Sequence, residues 1–197
     1  MAASKSRFLP EIESYTGFLG HGGFGIVLKA MDSAQYESAI KFIFPKKDDD
    51  IEKKRFLIEC NITTALEKHQ NIVSILNFEE KNLTVAELEK IIKILPLNDH
   101  QLLSKADAYL ASTKRHGFIE SFCIQMEICG EDLKTWLAQV NDISDPNMQY
   151  MQMVIPQNII RGLKFLHDNK IIHRDLKPAN ILFSSSNYCL PVKIGGV

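Results

Sequence analysis

No charge of one sign dominates this sequence. Its 23 basic and 24 acidic side chains leave a formal net charge of −1, which argues against a surface built to neutralise nucleic-acid phosphates or to lie on anionic lipid. No apolar run approaches the roughly 18 residues that a membrane span needs. The first ten residues carry scattered charges and no apolar stretch of signal-peptide length, and residue 2 is alanine, so the N-myristoylation pattern is missing too. A cytoplasmic protein is expected. Cysteine is sparse: Cys60, Cys123, Cys129 and Cys189 form no C-x-x-C pair and have no companion histidine at zinc-ligand spacing. Reduced, mostly buried thiols are expected. Asn61-Ile62-Thr63 and Asn82-Leu83-Thr84 fit the glycosylation triplet, which means nothing in a reducing compartment. There is no internal repeat and no low-complexity tract. What is present, 45% hydrophobic and 24% charged residues over 197 positions, suits an ordinary globular core in one domain of moderate size or two small lobes.

Residues 15–44 read as short β-branched or aromatic runs separated by glycine and by Asp32-Ser33, a meander of antiparallel strands. Ile51, Phe56, Ile58, Ile62, Ala65 and Leu66 then recur near helical spacing, predicting a helix over 49–67. Strand character returns at 71–78 and 118–126, and the long connection between them should have structure of its own. In it, Thr84-x-x-Glu87 is a capping-box pattern before Val85, Leu88, Ile91, Ile92 and Leu95, ended by Pro96. Leu102, Leu103, Ala106, Tyr109 and Leu110 suggest a second amphipathic helix. The pair either covers the neighbouring sheet or offers a docking face to a partner. Leu133, Trp136, Leu137 and Val140 mark a further helix, and Asp145-Pro146 interrupts it. From 150 to 167 one side is apolar, with Met151, Val154, Ile155, Ile159, Leu163 and Leu166, while Pro156 should kink or restart that helix. Two short strands, 181–183 and 191–194, flank the polar turn Ser184-Ser185-Ser186-Asn187.

Gly20-His21-Gly22-Gly23-Phe24-Gly25 matches G-x-G-x-x-G, in which missing side chains let backbone N–H groups approach an anion. A dinucleotide site would need a helix to begin there, whereas Ile26-Val27-Leu28-Lys29 continues as strand, so the loop reads as a strand-turn-strand flap. A purely structural glycine turn is the alternative. Ala39-Ile40-Lys41 places a lysine inside the next apolar strand. It either snorkels to water or holds phosphates while a helix carboxylate fixes it, Glu59 being the better placed and Glu52 the reserve. The most specific string is His173-Arg174-Asp175-Leu176-Lys177-Pro178-Ala179-Asn180. An aspartate, a lysine two residues on and an asparagine five residues on can gather around a transferring phosphate, one orienting a hydroxyl, one neutralising charge and one binding Mg²⁺.

On these motifs, Gly20 to Val27, Ala39-Ile40-Lys41 and His173 to Asn180, the sequence resembles the eukaryotic serine/threonine protein kinases over nearly its whole length. The resemblance implies an α+β, protein-kinase-like fold, with an antiparallel-sheet N-lobe carrying one main helix and an incomplete helical C-lobe. It implies a tail at 1–14, an N-lobe at 15–128 with a helical insert at about 79–117, and a partial C-lobe at 129–197. It implies transfer of the ATP γ-phosphate to a protein hydroxyl, with ATP and Mg²⁺ as cofactors. By that resemblance Gly20, Gly22 and Gly25 cover the phosphates and Lys41 contacts them, paired with Glu59. Met126, Glu127 and Cys129 lie where adenine is received, and Leu19, Gly23, Val27, Ala39 and Leu182 complete the nucleotide site. Asp175 would be the base, Lys177 a phosphate contact and Asn180 a metal ligand. Ile124-Gln125-Met126-Glu127, Leu133-Lys134-Thr135-Trp136-Leu137 and the insert look like kinases of translation initiation factor 2α, which implies such a factor as substrate.

The sequence departs from the family after Val192-Lys193-Ile194-Gly195, where Asp-Phe-Gly is expected and Gly196-Val197 stands instead. Glycine offers no side-chain oxygen to a metal, so impaired transfer is expected, together with a domain that lacks roughly a hundred further residues of the family's C-lobe. The face from Met151 to Leu166 should then stay open, a liability in solution or a surface for a protein partner. The alternative function is a catalytically impaired module that binds nucleotide or a partner.

Overall fold

The computed structural model describes residues 12–22, 25–45, 50–139 and 145–196. Contacts divide the chain into two units, the first made by residues 12–64 and Ile75–Glu127, the second by Ala65–Ser74 and the residues from Ile128 onward. The first unit is one antiparallel sheet in the order β1-β2-β3-β5-β4, with β1 Ile12–Gly22, β2 Gly25–Asp32, β3 Glu37–Ile43, β4 Ile75–Thr84 and β5 Phe118–Met126. Period-two alternation sends Ile26, Leu28, Ala30, Ile40 and Phe42 to one face, where they are buried with Cys123. That face is covered by α2 Val85–Ile92 and α3 His100–His116, which contribute Ile91, Leu102 and Ala106 to the same core. The insert therefore covers its own sheet. Each fully buried Leu or Ile there contributes on the order of 1.5–3 kcal/mol. The opposite face buries Phe78, Phe122 and Ile124 against Cys60 and Leu57 of α1 Asp50–Ala65.

The capping box forms as the spacing predicts: the Glu87 N–H donates to Thr84 Oγ1 and the Thr84 N–H to Glu87 Oε2. The strand before it is longer than the sequence suggests. β4 runs to Thr84, so 79–82 is strand and the helical insert begins at Val85. Glu79, Glu80, Lys81 and Asn82 pair with residues 120–123 of β5. By sequence they fall in the connection after the strand, yet β4 is an edge strand, where charged side chains reach water without leaving the ladder.

In the second unit, α4 Leu133–Gln139, α5 Pro146–Asp168 and the two-stranded ribbon of β6 Ile181–Ser185 and β7 Cys189–Ile194 enclose Ile72, Leu133, Trp136, Ile155, Leu166, Phe183 and Val192. Residues 65–74, assigned by sequence to the first lobe, join this unit instead. The reason is a buried amide pair. Asn71 Nδ2 donates to Asn158 Oδ1 and to the Val192 carbonyl, both at 2.9 Å, and Asn158 Oδ1 also accepts the Val192 N–H at 3.2 Å. Backbone bonds between Asn71, Val73 and Ile194 continue the seam. Asn158→Ala would orphan an amide hydrogen of Asn71 and the Val192 N–H, at a cost of about 2–4 kcal/mol. Urea unfolding should show a matching fall in midpoint at unchanged slope.

Two expectations for α5 are corrected. Pro156 does not interrupt the helix. Pro156 and Gln152, whose carbonyl loses its partner, are both exposed, so water takes the free acceptor. The face from Met151 to Leu166 is not open either, because Ile155 and Leu166 are buried and Met151, Ile159 and Leu163 half-buried against the unit's own core. The apolar side chains left exposed on α5 are Tyr150, Met153 and Ile160. The thiols also differ from expectation. All four are free, but only Cys60 and Cys123 are buried, with Cys129 intermediate and Cys189 exposed. Among the described residues no helix is long and apolar enough to cross a membrane.

Candidate functional site

Register brings the strand residues predicted for nucleotide contact together. Val27 stands opposite Lys41 and Lys41 opposite Ile124, while Ala39 stands opposite Met126. Cross-strand partners share a face, so Val27, Ala39, Lys41 and Met126 lie on the side turned away from the insert and towards α1. Ile124 belongs to this row, which the sequence reading missed; its alternation with Met126 was the available signal. The side chains of Glu59 and Glu52 lie outside the described residues, as does Gly23. Leu19, Gly20 and Gly22 are on β1 and Gly25 opens β2, with Gly20 opposite Val27 and Gly22 opposite Gly25. The described parts of the loop are thus strand on both sides, β1 ending at Gly22 and β2 opening at Gly25 rather than a helix, while the turn itself lies outside the described residues. Gly25 could be no other residue without movement: its φ is +153° and a Cβ would sit 2.0 Å from the Phe42 carbonyl oxygen.

The second unit holds the other group. Arg174 takes a left-handed φ of 65°, which turns the chain so that Asp175 and Lys177 meet. Lys177 Nζ donates to both Asp175 carboxylate oxygens, at 3.1 and 2.8 Å. Pro178 opens a single 3₁₀ turn, suited by its fixed φ, that delivers Asn180. Asn180 Nδ2 then donates to Asp175 Oδ2 at 3.0 Å and to the Asp175 carbonyl at 2.7 Å. Lys177 first, and Asn180 after it, hold the Asp175 carboxyl below its ordinary range, so it is ionised at neutral pH. His173, buried and not among the predicted site residues although inside the motif, braces this loop. Its Nδ1 accepts the Asp175 N–H at 3.3 Å and its Nε2 bonds the Gly195 carbonyl at 2.8 Å. Gly195 N–H in turn donates to the Asn180 carbonyl at 2.8 Å. Leu182 is half-buried on β6, opposite Lys193. Met126 and Glu127 close the first unit and Cys129 lies in the second, all three half-buried.

Gly196 adjoins Asn180: a Cβ at 196 would lie 3.3 Å from Asn180 Nδ2 and 3.6 Å from Oδ1. With Nδ2 spent on Asp175, Asn180 offers one neutral oxygen and position 196 offers none. Mg²⁺ is normally held by one or two carboxylates together with substrate phosphates. Among the described residues no group of three His, Cys, Asp or Glu could hold a metal. The described side chains therefore do not make a protein-held Mg²⁺ site.

A nucleotide-type glycine flap with a strand lysine behind it, in one unit, and an Asp-Lys-Asn cluster on a braced loop, in the other, define a protein kinase domain. Residues 14–195 match the protein kinase domain family model, and the chain belongs to that family. Among its relatives, mitogen-activated protein kinase 10 of Arabidopsis thaliana is 32% identical over 85% of this chain and 33% of its own length. Mitogen-activated protein kinase 6 of Arabidopsis thaliana is 30% identical over the same shares, 85% and 33%. Extracellular signal-regulated kinase 1 of Dictyostelium discoideum is 29% identical over 89% of this chain and 26% of its own. The chain spans about a third of the length of such relatives.

Proposed function

We propose that the chain binds ATP and that the working protein transfers the ATP γ-phosphate to a serine or threonine hydroxyl of a protein. The observation that carries this is the ionised Asp175 carboxylate held by Lys177 and Asn180 on one short loop. A carboxylate so held can accept the hydrogen bond of an incoming hydroxyl and take its proton as the new P–O bond forms. The ammonium of Lys177 has three donors. Two serve Asp175 and the third is available to a phosphate oxygen whose charge grows during transfer. The flap supplies backbone N–H groups, and Lys41 a cation, to the triphosphate. Val27, Ala39 and Met126 offer an apolar wall to the base. Mg²⁺, which the family uses, would enter with the nucleotide phosphates and meet Asn180 alone among the described residues of this cluster. A protein substrate follows from the family. The relatives named are mitogen-activated protein kinases, and a translation initiation factor as substrate rests only on the hinge and insert motifs. The alternative of a binding module without catalysis rests on Gly196 and leaves the Asp175 cluster without a use. The free thiols support a reducing, cytoplasmic setting.

Titration with ATP while following the melting temperature tests the reading. The parent chain should be stabilised, since a ligand present at about a hundred times its Kd adds about 2.7 kcal/mol. Lys41→Met should lose most of that gain, with affinity down at least about tenfold. A parent chain that melts at the same temperature with saturating ATP would defeat the proposal.

A further inference from the structure

We infer that Asp99, at the start of the inserted helix α3, is a positioning residue for the glycine flap, which it holds through His21 from the side of the sheet opposite Lys41. This deepens the nucleotide-binding reading above and rests on it. His21 stands opposite Ile26 on β2, and Ile26 is buried in the core beneath α2 and α3. Sharing that face, the imidazole is directed at the insert and away from the Val27–Lys41 row. Its Nε2 lies 2.8 Å from Asp99 Oδ2, with both side chains 30% exposed.

Asp99 is itself anchored. Its Oδ1 accepts the Leu102 N–H at 2.9 Å as the helix N-cap, and its own N–H donates to the Pro96 carbonyl. The helix it caps is pinned by buried Leu102 and Ala106. Capping needs one carboxylate oxygen; the second is spent on the flap. The Leu102 N–H first, and His21 after it, hold the Asp99 carboxyl below its ordinary range and keep it ionised. A flap of glycines has little side chain with which to order itself, and ordering it on binding costs conformational entropy. Tying its one imidazole to a rigid helix removes part of that cost before the nucleotide arrives. A single partly exposed side-chain contact adds little to global stability, so the tie should register in flap order and nucleotide affinity and leave melting almost unmoved.

The test uses the 197-residue chain with His21→Ala, Asp99→Ser and the double variant. Serine keeps the N-cap bond to Leu102 but is too short to reach His21. Amide hydrogen exchange over residues 20–26 should quicken by about tenfold in each single variant. The Kd for the fluorescent analogue mant-ATP should rise about fivefold, the loss of one ordinary hydrogen bond's worth of binding free energy. The double variant should be no worse than either single one, because both remove the same tie. If Asp99→Ser lowers the melting temperature, His21→Ala, which leaves the cap intact, decides. Unchanged flap exchange with normal mant-ATP binding would overturn the positioning role alone, as would effects that simply add in the double variant. Faster exchange in the variants, with a folded parent chain that binds no mant-ATP, would instead overturn the nucleotide reading, and the positioning role with it.

Discussion

Asp175→Asn should lower γ-phosphate transfer to a serine/threonine peptide by about 10²–10⁴-fold, the usual share of a positioned proton acceptor, with mant-ATP affinity close to the parent's. The reason lies in what the substitution keeps. Asparagine has the size of aspartate and still accepts a hydrogen bond from Lys177 or Asn180 through its carbonyl, but it cannot take a proton from the attacking hydroxyl. Asp175 is exposed and belongs to none of the three hydrophobic cores, so melting should barely respond. Single-turnover assays with [γ-³²P]ATP would read the effect. Equal rates in the two proteins would remove Asp175 from its proposed role and leave only charge and proximity to explain transfer.

The second large effect is a gain. Gly196→Asp should tighten binding of Mg²⁺·ATP by about tenfold or more while leaving metal-free ATP unchanged, since it puts a carboxylate beside the one amide oxygen that Asn180 offers. The position suits it geometrically, because a Cβ at 196 meets Asn180 amide atoms at 3.3–3.6 Å, the neighbourhood a shared metal would need. The φ of +80° at Gly196 opposes the change, though aspartate tolerates the left-handed region better than most residues and the strain is of order 1 kcal/mol. A metal bond should exceed that. Calorimetric titrations with Mg²⁺·ATP and with ATP plus EDTA, in parent and variant, give the comparison directly. In the parent the two affinities should be nearly equal. If they already differ tenfold there, or if the aspartate does not separate them, the incomplete donor set is not what limits this chain. The same variant is the background in which the Asp175 assay has the highest transfer rate to lose.

Most of the Asp175 cluster could be read in the sequence because Asp175, Lys177 and Asn180 lie within six positions of one another. Asp175, Lys177 and Asn180 meet through one left-handed residue and one proline-started turn, both local events. The row of Val27, Ala39 and Lys41 was legible for a similar reason, since strand parity alone puts such residues on one face once the strands are recognised. Thr84 and Glu87 cap their helix through bonds that span three residues. His173 was in plain view inside the motif, but nothing local announces that its ring links Asp175 to Gly195.

The failures share a cause. Glu79 to Asn82 fell into the connection because apolar strand character fades after Phe78, whereas an edge strand carries polar side chains without leaving the ladder. Pro156 read as a helix breaker because its neighbourhood gave no hint that Gln152 would face water. Asn71 looked like the start of a strand in the first unit, and its burial against Asn158 and Val192, with the backbone bonds to Ile194, draws residues 65–74 into the second.

By itself, then, the sequence determined the family, the strand and helix periods and which side chains each short motif brings together, because those depend on neighbours a few bonds or one helical turn away. Tertiary structure decided which face of the sheet the insert covers, which segments share a core, and the meeting of His21 with Asp99. Such contacts join residues far apart in the chain, and they form only where burial and hydrogen-bond satisfaction at both ends outweigh the entropy of bringing them together.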